Sequence, residues 1–434
     1  MLKIKSWIKD NKLYIGLFIF YLCIHLFIHL DYWDDKIFRD LFISYNYDLI
    51  ALEVYRWNEW TSRALIHGLA CIFLVLPSIV WKICDSLIWV WIFIFLNKLV
   101  GVKNHRLIGI LLFLSYPLSM MATAGWVATS TGYNFPIAFV LWALLLLFTD
   151  ECQVKVYEVI IGCAAFIYGC NFELMAYTLV LLLVVVLFIP SIRDRINKRL
   201  AFVYLTIAII SSIYPLICPG NFVRINQTDS LSFIDSIRMG INTCFYYFCS
   251  VPNAVFFLFN ALIMVASMLV GRTRKFKIIA IVPLAIDVIW TAYFFVRYTV
   301  TTRQLTYVYP DAEFISHSIL EQSAILISAL IWVGVTVYIL ICLFDDEWIP
   351  MLSIFIISLA PEVILGFTNG VTPSMIRVSI FMYLGLIAIG IKLSDKYYVE
   401  LRQNSKLYGI LVTISTMGML FSLAQTVRHI LVYG

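Results

Sequence analysis

Ten residues near the start of the chain, Asp31–Asp40 (D-Y-W-D-D-K-I-F-R-D), hold four carboxylates. Acids crowded together raise one another's pKa, so one of them can serve as a general base, and their oxygens can also hold a divalent cation such as Mg or Mn. The same residues would make a solvated loop leading into an amphipathic helix, with Asp34 or Asp35 as its N-cap. Of the adjacent pair, Asp35 is the preferred base, because it stands nearer the amphipathic stretch that can fix it.

Further along, W-N-E-W-T-S-R (Trp57–Arg63) sets two tryptophans and Arg63 at the head of an apolar run. Tryptophans suit the headgroup zone. An arginine there either snorkels to headgroups or clamps a phosphate with both arms. G-W-V-A-T-S-T-G-Y-N-F-P (Gly125–Pro136) interrupts two apolar stretches. It reads as an ordinary connecting loop or as irregular backbone lining a wet cavity, where Trp126, Tyr133 and Asn134 would offer the stacking faces and hydrogen bonds a sugar needs. Glu173, in N-F-E between two apolar runs, is costly at a membrane boundary without a partner. Arg224, Arg377, Arg297 and Arg303 call for an anion: Glu173, an aspartate of the first loop, or a phosphate. His25 and His29, four apart on the first helix, would share a face; polar bundle contacts are the preferred reading over a metal site, for which no further ligands can be named. The ten cysteines are scattered without C-x-x-C and read as small buried hydrophobes; Cys244 and Cys249 could face an oxidising compartment and pair, but are read as free.

The elements that must position these residues follow from composition. Hydrophobic residues make up 62% of the 434 positions and charged ones 13%, about half the charge of a soluble domain. Apolar runs of about 20 residues recur throughout. In lipid only helices or closed barrels satisfy their own backbone, and these runs are too long for barrel strands. The expectation is an all-α polytopic integral membrane protein of about 12–14 transmembrane helices. It would be a single transmembrane domain over 1–434, with 31–63 as a first outer loop carrying an amphipathic helix. No separate soluble domain, low-complexity tract or internal repeat stands out. Leu13–Leu30 lacks a small-residue cleavage site and reads as a retained helix. The net charge of +5 sits largely in short basic loops and suits anionic headgroups, not nucleic acid.

Lys and Arg in short loops favour the cytoplasm, which places the N-terminus inside. Arg193–Arg199, Arg272–Lys277 and Lys392–Lys406 should lie inside too. Helices are expected near 156–170, 174–190, 200–217, 251–270, 278–297, 318–343, 349–366, 375–391 and 407–427. Parity then puts 31–63, 125–135, 171–173, 218–250, 298–317 and 367–377 outside, and Lys98, Lys103 and Arg106 inside. Residues 64–100 are long enough for two helices broken near Lys82 and Asp85, yet parity demands an odd number of crossings. Either one piece is re-entrant or interfacial, or the basic cluster departs from the rule.

The acidic D-D after the first helix, W-x-x-W-x-S-R, G-W-x-x-x-S-x-x-Y-N-x-P, N-x-E and P-G-N-x-x-R, in that order over roughly residues 1 to 380, resemble the GT-C superfamily of membrane glycosyltransferases. The likeness is to bacterial proteins related to the glucosyltransferases of O-antigen and other surface polysaccharides. It implies transfer of a sugar from a polyprenyl-phosphate donor to a surface glycan or lipid-linked acceptor, in the bacterial cytoplasmic membrane with the active site on the outer face. It implies Asp34 or Asp35 as base, with Arg63, Arg224 and Arg377 as candidates for the donor phosphate on charge and side. Unlike better-known members, the chain has no sizeable outer C-terminal domain. No Walker loop or dinucleotide fingerprint points to a soluble nucleotide donor. A polysaccharide polymerase or ligase is the nearest rival, and a transporter or flippase, with Asp287 and Glu362 in or near helices, is a rival of another class.

Overall fold

The computed structural model describes residues 2–119, 124–149, 154–225, 232–250, 253–270, 272–302, 318–367 and 377–433. Every regular element among them is a helix. Among the described residues six stretches are long and apolar enough to cross a membrane: Ser78–Leu99, Trp126–Leu146, Lys198–Ile217, Arg274–Val296, Ile319–Leu365 and Ser405–Val432. Shorter apolar helices accompany them, among them Ala64–Val75, Val156–Cys170, Glu173–Phe188 and Ala254–Leu269. This is a helical membrane protein, and it forms two compact units.

The first unit comprises residues 1–99, 119–227 and 425–434. Its helices include α1 (Leu2–Leu26), α2 (Trp33–Ser44), α3 (Leu49–Glu59), α4 (Ala64–Val75), α5 (Ser78–Leu99), α6 (Trp126–Leu146), α7 (Val156–Cys170), α8 (Glu173–Phe188), α9 (Lys198–Ile213) and α10 (Pro219–Ile225). Helices α1 and α5 run antiparallel: Tyr21 stacks on Trp89 at 5.4 Å and Lys82 Nζ donates to the Leu26 carbonyl at 3.0 Å. The C-terminal end of α1 thus meets the start of α5, so the segment between them leaves and rejoins the bundle at one end.

Residues 64–100 form two helices of unequal length. Helix α4 has 12 residues, about 18 Å at 1.5 Å per residue, and cannot cross a hydrocarbon core of about 30 Å. Helix α5 has 22 and can. The break falls at Leu76–Pro77, and Lys82 and Asp85 lie inside α5. Proline at 77 places the boundary, since it disfavours helix at the residue before it, and the Leu76 backbone is extended.

Residues 31–63 hold two short helices, α2 and α3. Phe42, Leu52 and Cys71 form their shared core against α4, with Phe38, Leu41, Tyr45 and Leu49 packed on it. Gly125–Pro136 departs from the loop reading: it is the start of α6, with a π turn over Ser130–Asn134. Pro136 lacks the N–H that would bond the fourth carbonyl back, and widening the preceding turn accommodates it. The Thr131 carbonyl there accepts from the Tyr168 hydroxyl at 3.0 Å, as backbone buried in lipid requires.

The second unit comprises residues 100–118 and 228–424. Ile380–Lys396 is its core helix, buried along most of its length. It packs against Leu107–Leu114, Ala254–Leu269 and Trp348–Leu365. Small residues permit these approaches: a β-carbon on Gly385 would collide with Ser358, and one on Gly390 with Leu112. Basic residues gather at one end of this unit. Arg106 binds Asp395 at 2.8 Å, while Arg272 and Lys396 both reach Asp345. Helix Phe233–Ser250 lies where a polar segment was expected; Asp235, Arg238, Asn242 and Thr243 lower its mean hydropathy without breaking the helix. Arg303, and most of the expected segments 298–317 and 367–377, lie outside the described residues.

Candidate functional site

The acidic cluster is divided among different partners. Asp31 and Asp40 bind Arg39, at 2.5 and 3.6 Å. Asp34 and Asp35 occupy the first turn of α2, whose N-cap is Tyr32. Asp35 therefore caps a helix, but not its own. Its Oδ2 accepts from the backbone N–H of Trp126 (2.7 Å) and Val127 (3.1 Å), and its Oδ1 from that of Ala128 (2.8 Å). These are otherwise unsatisfied donors at the start of α6, where the helix dipole also favours an anion. Gly125 makes the approach possible, with φ of +115°. A β-carbon there would lie 2.6 Å from Asp35 Oδ1. Burial pushes the Asp35 carboxyl up to about 7, against the pull of those backbone donors and with Asp34 adding to the rise. Asp34 is half-buried beside it, its own N–H donating to the Ala124 carbonyl at 3.0 Å.

The S-R and N-x-E motifs meet. Arg63 Nε lies 2.7 Å from Glu173 Oε2, and the Ser62 hydroxyl donates to Glu173 Oε1 at 3.0 Å. Tyr133 also hydrogen-bonds Arg63, whose guanidinium stacks over Phe172 at 4.8 Å. Asn171 Oδ1 accepts from the N–H groups of Leu65 (3.0 Å) and Ile66 (3.2 Å), capping α4 from outside. The P-G-N turn completes the arrangement, with α10 packed on α3 and the Cys218 thiol against the Trp57 carbonyl at 3.2 Å. Arg224 sits on α10, and its side chain lies outside the described ones, as does that of Arg297. Arg377 belongs to the second unit, half-buried ahead of Ile380–Lys396.

Sequence reasoning missed Arg56. It stands on α3 at 3% exposure, its guanidinium 4.1 Å above the Phe38 ring. Its Nη1 and the neighbouring Glu53 Oε1 have no hydrogen-bond partner among the described residues. Glu53, Asp34 and Cys71 lie within electrostatic reach of it. Burial lowers the guanidinium's pKa and raises that of Glu53 to about 7. His67 packs edge-on against the same Phe38 at 5.1 Å. His429, from the last turns of the chain, sits by Tyr32 and Trp126 at 6.0 and 5.9 Å. The available signal for Arg56 was a lone arginine within an apolar helix face; nothing local said that it is buried.

An apolar groove of about 920 Å³ is lined by residues of α3 to α7, among them Leu65, Ile72, Phe95, Trp142 and Ala165. Ala64 and Leu65, directly after Arg63, line it. Trp126, Tyr133 and Asn134 are all buried, at 5%, 6% and 2% exposure, so they serve first in the packing of α6. The two histidines do not share a face: α1 ends at Leu26, His29 is exposed beyond it, and His25 is buried against Asp85. Among the described residues no three His, Cys, Asp or Glu side chains gather as metal ligands. In the second unit Asp287 accepts from Asn260 (3.2 Å) and Thr291 (3.3 Å), and Glu362 is fully enclosed. Set against known proteins, the chain matches no family model, no curated protein and no solved structure.

Proposed function

We propose that the chain is a membrane glycosyltransferase of GT-C type, moving a sugar from a polyprenyl-phosphate donor to a surface glycan or lipid-linked acceptor. The observation that carries this reading is the occurrence within the first unit of an acidic helix start, a buried cation and an apolar groove. The groove of about 920 Å³ has the lining an isoprenoid tail requires. Arg56, with an uncommitted Nη1, supplies positive charge to a phosphate leaving group. Asp35 accepts from the α6 N–H groups, and the reading gives the base role to the half-buried Asp34 beside it, with Asp35 as the residue that positions it. Asp34 takes the acceptor hydroxyl proton, the freed oxygen bonds to the anomeric carbon, and the bond from that carbon to the phosphate oxygen breaks, releasing polyprenyl phosphate. Arg63, neutralised by Glu173, fixes the rim of the groove.

The reading carries the rest of its expectations with it: the bacterial cytoplasmic membrane, an N-terminus inside, the 31–63 segment outside, and about 12–14 spans, α4 not among them. The rival transporter reading leans on Asp287 and Glu362, buried in the second unit. The test is transfer by the purified protein in lipid, offered a panel of polyprenyl-phosphate sugars with candidate glycan acceptors. Released polyprenyl phosphate that depends on Arg56 supports the proposal. Absence of transfer with every donor, together with substrate flux in sealed vesicles, would replace it with transport.

A further inference from the structure

A second polar cluster lies deeper in the first unit, and the proposed transfer does not use it. His25 of α1, Asp85 and Ser86 of α5, and Asn134 in the π turn of α6 are buried at 1%, 2%, 0% and 2% exposure. Their hydrogens can be counted. The Ser86 hydroxyl donates to the Lys82 carbonyl at 2.6 Å, and a carbonyl only accepts. Ser86 Oγ therefore accepts from His25 Nδ1 at 2.8 Å, which fixes a hydrogen on that nitrogen. His25 Nε2 faces Asp85 Oδ2 at 3.1 Å, and Asn134 Nδ2 lies 3.4 Å from Asp85 Oδ1. One hydrogen then lies between Nε2 and Oδ2.

With that hydrogen, whether on nitrogen or oxygen, the pair is neutral overall. Without it, the Nε2 lone pair confronts a carboxylate in an apolar bundle, which neither group tolerates. Other titratable groups near the pair are few. Helix α5 adds Cys84 and Lys82, the latter spent on the Leu26 carbonyl at 3.0 Å, and α1 adds Tyr21. From α6 the contact is the Asn134 amide. The next tie between α5 and the π turn, Trp81 Nε1 to Ser130 Oγ at 2.7 Å, carries no titratable proton.

We propose that His25 and Asp85 are joined by one shared hydrogen and, through Asn134, form a latch that seats α6, the helix whose first N–H groups bind Asp35. The inference does not rest on glycosyl transfer, and its test needs no activity. In the full chain in lipid nanodiscs, ¹⁵N NMR of labelled histidine, assigned with His25→Gln, should show Nδ1 protonated, and the Nε2 signal should change in Asp85→Asn. Hydrogen exchange of residues 126–134 should then separate a latch from plain packing. Each single variant is expected to speed exchange by about tenfold or more, as for breaking one side of a buried pair. The double variant His25→Gln with Asp85→Asn replaces the pair by two amides that can bond without a titratable proton. It should recover protection. A bare Nδ1, an Nε2 signal indifferent to Asp85→Asn, or a double variant that exchanges as fast as the singles would overturn the proposal.

Discussion

Arg63 Nε lies 2.7 Å from Glu173 Oε2, joining two motifs 110 positions apart in the chain. Their side chains keep only 26% and 13% of their exposure, so neither charge is well solvated without the other. Glu173→Ala should strand the guanidinium and Arg63→Ala the carboxylate. Thermal unfolding of both singles and the double should give a coupling of about 1–3 kcal/mol. Purely additive losses would mean that the pair is incidental.

Gly125 is held at a φ of +115° with Asp35 against it. Gly125→Ala should cost about 1–3 kcal/mol from backbone strain, and more because its β-carbon displaces the Asp35 carboxyl. Its melting temperature should fall below that of Gly132→Ala, where the nearest atom is 3.9 Å away. Equal melting of the two variants would remove the argument for a close-fitted cap.

Asp35 and Glu53 both have carboxyl pKa values raised by burial to about 7, from ordinary values of 3.8 and 4.5. Between these values the folded chain holds protons that the unfolded chain has released. Their contribution to stability is therefore fully present below the ordinary values and is lost as pH rises through about 7. Melting temperature measured from pH 4 to 8 should decline across this window. Asp35→Asn and Glu53→Gln should each flatten the decline; an unchanged slope in both would assign it elsewhere.

Under the proposed transfer, Asp34→Asn should lower the rate per folded molecule by about 10²–10⁴, the usual contribution of a general base. Asp35→Asn should lower both rate and melting temperature, since the amide cannot accept all three α6 N–H groups. Full activity in Asp34→Asn, in protein inserted at normal levels, would end its assignment as base.

The sequence by itself determined the solvent and the helices. Apolar runs of spanning length leave no other backbone solution in lipid, and expected helices such as 156–170, 318–343 and 349–366 lie close to Val156–Cys170, Ile319–Phe344 and Trp348–Leu365. It also singled out Asp35, Arg63, Glu173 and Gly125–Pro136 as segments that needed explaining. What the tertiary structure decided is which group satisfies which. Helices α4 and α6 have no local side-chain cap, and theirs come from Asn171 and Asp35, about a hundred positions away. Local patterns record rise and hydropathy, whereas a cap supplied across a bundle depends only on where two helix ends meet. For the same reason the burial of Arg56 and the pairing of His25 with Asp85 were invisible in the sequence. A charge inside an apolar bundle is tolerated only once its neighbours are in place.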